Sequence, residues 1–344
     1  MSDTTASLRR HIHTAGDLQS VVRTMKAIAA SRIGQYEKSV HALDAYYRTV
    51  ELGLGACFRD LPHTHGDEVS AVAATQTDTI GGIVFGSDQG LVGQFNQVVA
   101  DHAVATLATL QGKPKCWAVG ERVHARLADA GMPLIGLFNV PNAVDAITPL
   151  VGHIQIASES KRSNGEFFQL YVFHNRPKSG SLYEPVAQRL LPLDRQWQDG
   201  LSKVAWPTKI RPEVMESGST TLRAYVREYL FISLYRACAE SLASENASRL
   251  AAMERADRNI NESLDNLRQS FNRLRQSSID EELFDVISGY ESMTTGKKSR
   301  RDSPVRDTAL RRSSDIRPCA VSGSGSENSQ YTVPHCAAAL EVTP

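Results

Sequence analysis

INESLDNLRQSFNRL, residues 260–274, decides the fold. Its large apolar residues, Ile260, Leu264, Leu267, Phe271 and Leu274, stand alternately four and three positions apart. That spacing is a heptad seam, a single narrow apolar stripe along a helix. Arg, Asp, Asn, Gln and Ser fill the positions between, as a solvated outer face requires. No proline interrupts the chain from Pro212 to about Ser288, so the spacing predicts one helix over 212–290, on the order of 110 Å long.

A second run of the same kind lies at the other end. Over residues 2–57, apolar residues recur at Leu8, Ile12, Leu18, Val22, Met25, Ile28, Ile33, Tyr36, Val40, Leu43, Tyr47, Val50 and Leu54. The steps are mostly three or four, and the first proline is Pro62. Gly16 and Gly34 each cost about 1 kcal/mol against alanine without breaking the pattern. Two very long helices with one stripe each bury those stripes most simply against each other. Because a folded segment joins them, the expected pairing is an antiparallel coiled coil.

The joining segment, 79–195, reads as an α/β domain of Rossmann-like type. Ile80–Phe85, Cys116–Val119, Leu134–Phe138, Phe167–His174 and Val186–Leu193 read as strands, and Asn96–Leu110, Glu121–Ala130 and Val144–Glu159 as helices. Alternation of short strands with helices of this length implies a largely parallel sheet. Residues 61–78 are polar and read as a linker. From 294 to 344 the chain turns basic and then Ser/Gly-rich, without a sustained period, and is expected to be a disordered tail.

Composition removes several function classes. Lys+Arg and Asp+Glu both total 38, which gives no whole-molecule attraction to nucleic acid or anionic lipid. The five cysteines form no CxxC pair, so neither a disulfide framework nor a zinc site is expected, as in a reducing compartment. No apolar run reaches the length of a membrane span, and no signal peptide opens the chain, so any membrane association is expected to be indirect. His63 and His65 lie beside Asp67 and Glu68 but have no further ligand at metal spacing. The turn Gly86–Gly93 follows a strand and opens a helix, yet GSDQGLVG lacks both phosphate-loop fingerprints. No cofactor is expected, and no catalytic constellation stands out.

Three segments carry a family resemblance. TMKAIAASR (24–32), GSDQGLVGQFN (86–96) and LASENASRLAAM (242–253) resemble, in order and spacing, motifs of F-type ATP synthase gamma subunits. FNRLRQSSIDEEL (271–283) and VISG (286–289) extend the likeness, which covers about residues 2–290. Val92, Gln94 and Asp280 depart from the family pattern, and the long tail has no counterpart in it. These departures mark a divergent member, with an alternative, sodium-type F-ATPase as the suggested branch.

The resemblance implies a non-catalytic rotor shaft that couples ion flow to ATP synthesis or hydrolysis in the alpha3beta3 ring. Its implied partners are the alpha, beta and epsilon subunits and the c-ring, with no nucleic acid. Its implied place is peripheral, at the cytoplasmic face of the cell (inner) membrane. Rotor–stator contacts then fall to Met25, Lys26, Arg249, Arg275, Gln276 and Asp280, and insert-loop contacts to Ser87, Asp88, Gln89 and Asn96. Arginine suits a polar catch, since its planar fork can pair bidentately with carboxylates. The plainer alternative is core packing for Met25 and solvation for Lys26, Arg275, Gln276 and Asp280. Two rivals from other classes are a dinucleotide-dependent enzyme and a self-associating coiled-coil scaffold.

Overall fold

The computed structural model describes residues 4–60, 79–178, 181–210, 212 and 218–298. The linker at 61–78 with its histidines, and the tail from 299, lie outside the described residues. The chain divides into two compact units, Met1–Asp280 and Glu281–Pro344.

In the first unit, helix α1 is Thr5–Asp60. Strand β1, Thr79–Phe85, is followed by α2, Phe95–Thr109, then β2, Lys113–Val119, and α3, Glu121–Asp129. Next come β3, Leu134–Phe138, a 3-10 turn at Val144–Ala146, and α4, Ile147–Ser163. Strands β4, Gln169–Lys178, and β5, Ser181–Leu191, precede α5, Arg195–Lys203, and the long helix α6, Gly218–Lys298. The second unit contributes the end of α6, in which residues 281–293 are exposed throughout. Helix α6 continues beyond the expected end at 290, since no proline stands between 291 and 298 to stop it. Its start lies at Gly218 rather than at Pro212.

The sheet has the order β3-β2-β1-β4-β5. The first four strands run parallel, and β5 turns back antiparallel on β4 to form one edge. Residues alternate between two cores, as the two-residue period of a strand dictates. Ile83, Phe85, Trp117, Val119, Leu170 and Val172 face a cluster that includes Ile147, Val151 and Ile154 of α4 and Leu234, Ala237, Cys238 and Leu242 of α6. Ile80, Val84, Cys116, Ala118 and Phe173 face α2 and α3 through Val99, Ala103, Leu107, Val123 and Leu127. Helices on both faces explain why β1 reads as a continuous apolar run.

Helix α1 runs antiparallel to α6, and the contacts between them fall in reverse order along the two sequences. The Arg9 guanidinium lies 5.6 Å from the centre of the Phe271 ring. Gln19 donates to Asp257 at 3.2 Å, and Arg23 bonds the same carboxylate at 3.3 Å. Lys26 pairs with Glu254 at 3.4 Å, and the Tyr46 hydroxyl donates to Glu228 at 2.9 Å. Up to Val50 the buried α1 residues Leu8, Val22, Ala29, Tyr36 and Val50 are separated by multiples of seven, and beyond it Leu54, Ala56 and Cys57 are buried as well. One heptad position therefore carries the burial over most of α1, as one face of a helix packed along a partner helix requires, and burial spreads to other faces only near its end.

The nine-residue helix α5, in the Pro- and Trp-punctuated stretch, is not foreshadowed by the apolar period. It is placed by α1: Gly55 lets the Leu201 carbonyl approach to where a β-carbon would stand 2.5 Å away. Leu201 then closes a cluster with Val50, Leu54, Tyr229 and Ile232.

Candidate functional site

The turn after β1 carries four of the expected contact residues, and three of them point into the protein. Gly86 has no room for a side chain, because a β-carbon would lie 2.3 Å from Val123. Ser87, fully buried, donates from its backbone nitrogen to Asn96 Oδ1 at 2.9 Å. Its hydroxyl donates to the Gln89 carbonyl at 2.9 Å and accepts from Asn96 Nδ2 at 2.8 Å. Asp88 accepts from the backbone nitrogens of Glu121 at 3.0 Å and Val140 at 2.9 Å.

Asp88 thus satisfies an otherwise unpaired donor at the start of α3, whose own N-cap Gly120 supplies no side chain. Gly120 sits at φ 114, and a β-carbon there would stand 2.8 Å from the Ser87 main chain, so only glycine fits. A phosphate-binding loop offers free backbone N–H groups to its ligand. Here the nitrogen of Ser87 is taken by Asn96, so the turn is organised from within. Of the four loop residues, only Gln89 is exposed.

The far side of this turn meets the middle of α6. The hydroxyl of Ser248 donates to the Val92 carbonyl. Ser244 donates to the Asn175 carbonyl at 3.0 Å, and Asn175 Nδ2 donates to the Phe95 carbonyl at 3.0 Å. One turn of α6 earlier, Glu240 bonds His174 Nε2 at 2.8 Å, Arg236 Nε at 2.8 Å and Arg176 Nε at 3.1 Å. Burial by itself would raise the Glu240 carboxyl, but the bonds from His174 and Arg236 outweigh it and hold the group at about 2. Sequence reasoning missed His174, Arg236 and Glu240. The available signal was the Arg236/Glu240 pair, four residues apart on one helix.

Arg249 is buried and pairs with Glu245 at 2.7 Å, again four residues apart. Burial pushes the Glu245 carboxyl up, with the Arg249 charge opposing it. Met25 and Lys26 are half-buried on α1, and Lys26 pairs across to Glu254 of α6. Arg275, Gln276 and Asp280 are exposed on α6. The expected contact residues therefore separate into three groups: those that hold the turn, those engaged between or within the helices, and those facing outward. Burial also pushes the Cys116 thiol up to about 12, and that of Cys238 up as well, which removes both as nucleophiles at neutral pH.

These features define a protein built on two long antiparallel helices, the second of which holds an α/β domain through a buried polar seam. A family model described as ATP synthase matches residues 4–293. The ATP synthase gamma chain of Syntrophus aciditrophicus is 25% identical over 306 residues, covering 84% of this chain and 98% of its own. That of Bdellovibrio bacteriovorus is 26% identical over 307 residues, covering 83% and 97%. The chain belongs to the ATP synthase family, on the side of its gamma chains. In fold it resembles a chain of the Euglena gracilis mitochondrial ATP synthase OSCP/F1/c-ring assembly, with TM-score 0.59, 14% identity and coverage of 89% and 98%. A chain of the rotor of the same enzyme gives TM-score 0.54, 13% identity and coverage of 80% and 98%.

Proposed function

We propose that this chain is the central rotor shaft of an F1Fo ATP synthase, with α1 and α6 forming an antiparallel coiled coil and the Rossmann-like α/β domain at its base. As a gamma subunit it couples ion flow through the membrane sector to ATP synthesis or hydrolysis in the alpha3beta3 ring. Its partners are the alpha, beta and epsilon subunits and the c-ring. The subunit is not itself catalytic: it acts by presenting different faces to the sites of the ring, so coupling resides in differential contact energy. It is peripheral, at the cytoplasmic face of the membrane. Among the described residues no helix is long and apolar enough to cross a membrane, so attachment runs through partner subunits.

The observation that carries this reading is the reversed order of contacts from Arg9–Phe271 to Tyr46–Glu228 in a chain of this family. Helices paired along a shared seam resist bending and twisting, which a shaft requires. On this reading the exposed Arg275 and Gln276 are the polar catches for the ring, with Asp280 and Gln89 as further outward contacts. Met25 and Lys26 contribute from α1, while Arg249 acts by holding the helix surface in place.

Purification of the assembled ATPase tests the proposal. One copy of this chain per ring of alpha and beta subunits is expected, and a chain that remains alone in their presence overturns it. The double substitution Arg275→Ala/Gln276→Ala should lower ATPase turnover of the complex while leaving the melting temperature of the isolated chain unchanged.

A further inference from the structure

We propose that Glu240, Ser244 and Ser248 form a torque lock, the element that prevents the α/β domain from slipping around α6 under load. The inference rests on the rotor reading above and names where the rotor carries its load.

The three residues are spaced by four, so they lie along one stripe of α6. The first two engage β4 and the third engages the turn after β1. Glu240 bonds the side chains of His174 and Arg176 on β4. Ser244 bonds the β4 main chain at Asn175, and Ser248 bonds the turn at Val92. Asn175 in turn holds the start of α2 through the Phe95 carbonyl. One turn earlier on the same stripe, Arg236 bonds Glu240 and approaches Asp44 of α1 to 4.0 Å. The stripe therefore connects the central sheet to both long helices.

Around the stripe the buried side chains of α6 are mostly small, with Leu234 and Leu242 as the larger members of the same cluster. Ala237, Cys238, Ala239, Ser241 and Ala243 are all buried and small. Small side chains allow close approach but provide few teeth against rotation about the helix axis. Apolar contact is also non-directional, so the packing of Ile83, Phe85 and Val172 against α6 fixes the separation of sheet and helix more tightly than the angle about the helix axis. A hydrogen bond behaves differently, weakening steeply once its angle or length departs from a narrow range. Resistance to twisting therefore concentrates in the directional bonds along the stripe. Their burial adds to the stiffness, because breaking one leaves a carbonyl or carboxylate unpaired out of water.

The experiment uses membrane vesicles carrying the assembled complex, with ATP hydrolysis and the ATP-driven membrane potential measured together. A potential-sensitive dye reads the potential whichever ion is pumped. Ser244→Ala/Ser248→Ala should still assemble and hydrolyse ATP, with a several-fold loss of potential generated per ATP that deepens as the opposing potential rises. Ser244→Thr/Ser248→Thr, which keeps both hydroxyls, should restore it. Leu54→Ala, a destabilising change away from the stripe, should leave the ratio intact. An unchanged ratio in the alanine pair, or an equal loss in Leu54→Ala, overturns the lock. Failure of the wild-type chain to assemble with alpha and beta subunits would instead overturn the rotor reading itself.

Discussion

Asp88→Ala tests how the turn after β1 is held. In the wild-type protein the Asp88 carboxylate accepts two backbone hydrogen bonds, from Glu121 at 3.0 Å and Val140 at 2.9 Å. The first occupies a donor at the start of α3, and the second fixes the chain leaving β3. Loss of an N-terminal cap costs about 0.5–2 kcal/mol, and a hydrogen bond to a charged group contributes about 1.5–3 kcal/mol. Asp88 is half-buried, so water recovers part of the loss. The expected cost is about 2 kcal/mol, or a fall in melting temperature of about 4–8 °C for a domain of this size. Asp88→Asn, which keeps one acceptor oxygen, should lose about half as much. Thermal melting of the isolated chain reads the shift. Amide hydrogen exchange should show lost protection at Glu121 and Val140 in particular. Unchanged stability and exchange in Asp88→Ala, together with weakened binding to alpha and beta subunits, would refute this and return Asp88 to a direct contact role.

Three further outcomes follow from packing and charge. Leu54 is fully buried against Leu201, Tyr229 and Ile232, so Leu54→Ala should cost about 3 kcal/mol in urea unfolding. At Gly53 a β-carbon would stand 2.3 Å from the Tyr225 ring. Gly53→Ala should therefore destabilise by about 1–3 kcal/mol, and a cycle with Tyr225→Ala should reveal strong non-additivity. Glu240 is held at about 2, below its ordinary 4.5. A depressed carboxyl favours the folded state above its unfolded value, and that contribution fades as pH falls from about 4.5 towards about 2. Glu240→Gln should thus lower stability at neutral pH, with the gap to wild type narrowing through this acid range.

How much of this was legible in the chain can be argued from particular residues. The seam Ile260–Leu274 and the stripe from Leu8 to Leu54 announce long helices because 3.6-residue periodicity is a local property of sequence. The strands at Ile80–Phe85 and Leu134–Phe138 were equally readable, since a short apolar run between turn residues has few other uses. LASENASRLAAM and GSDQGLVGQFN were recognisable as motifs, but the internal partners of their polar residues were not. Ser87, Asp88 and Asn96 look like an exposed polar loop on paper, yet each is bonded to its own protein.

Periodicity and turn chemistry, then, were enough to determine two long one-striped helices and the strand–helix alternation between them, while the family was announced by the resemblance of three motifs. Tertiary structure alone decided the register of the helix pair, the helix α5 that Gly55 admits, and the meeting of His174, Arg176, Arg236 and Glu240. The reason is one of distance along the chain. His174 and Glu240 are 66 residues apart, and Ser248 and Val92 are 156 apart. No local pattern encodes such a partnership; it exists only once the sheet has closed against α6 and excluded water from between them.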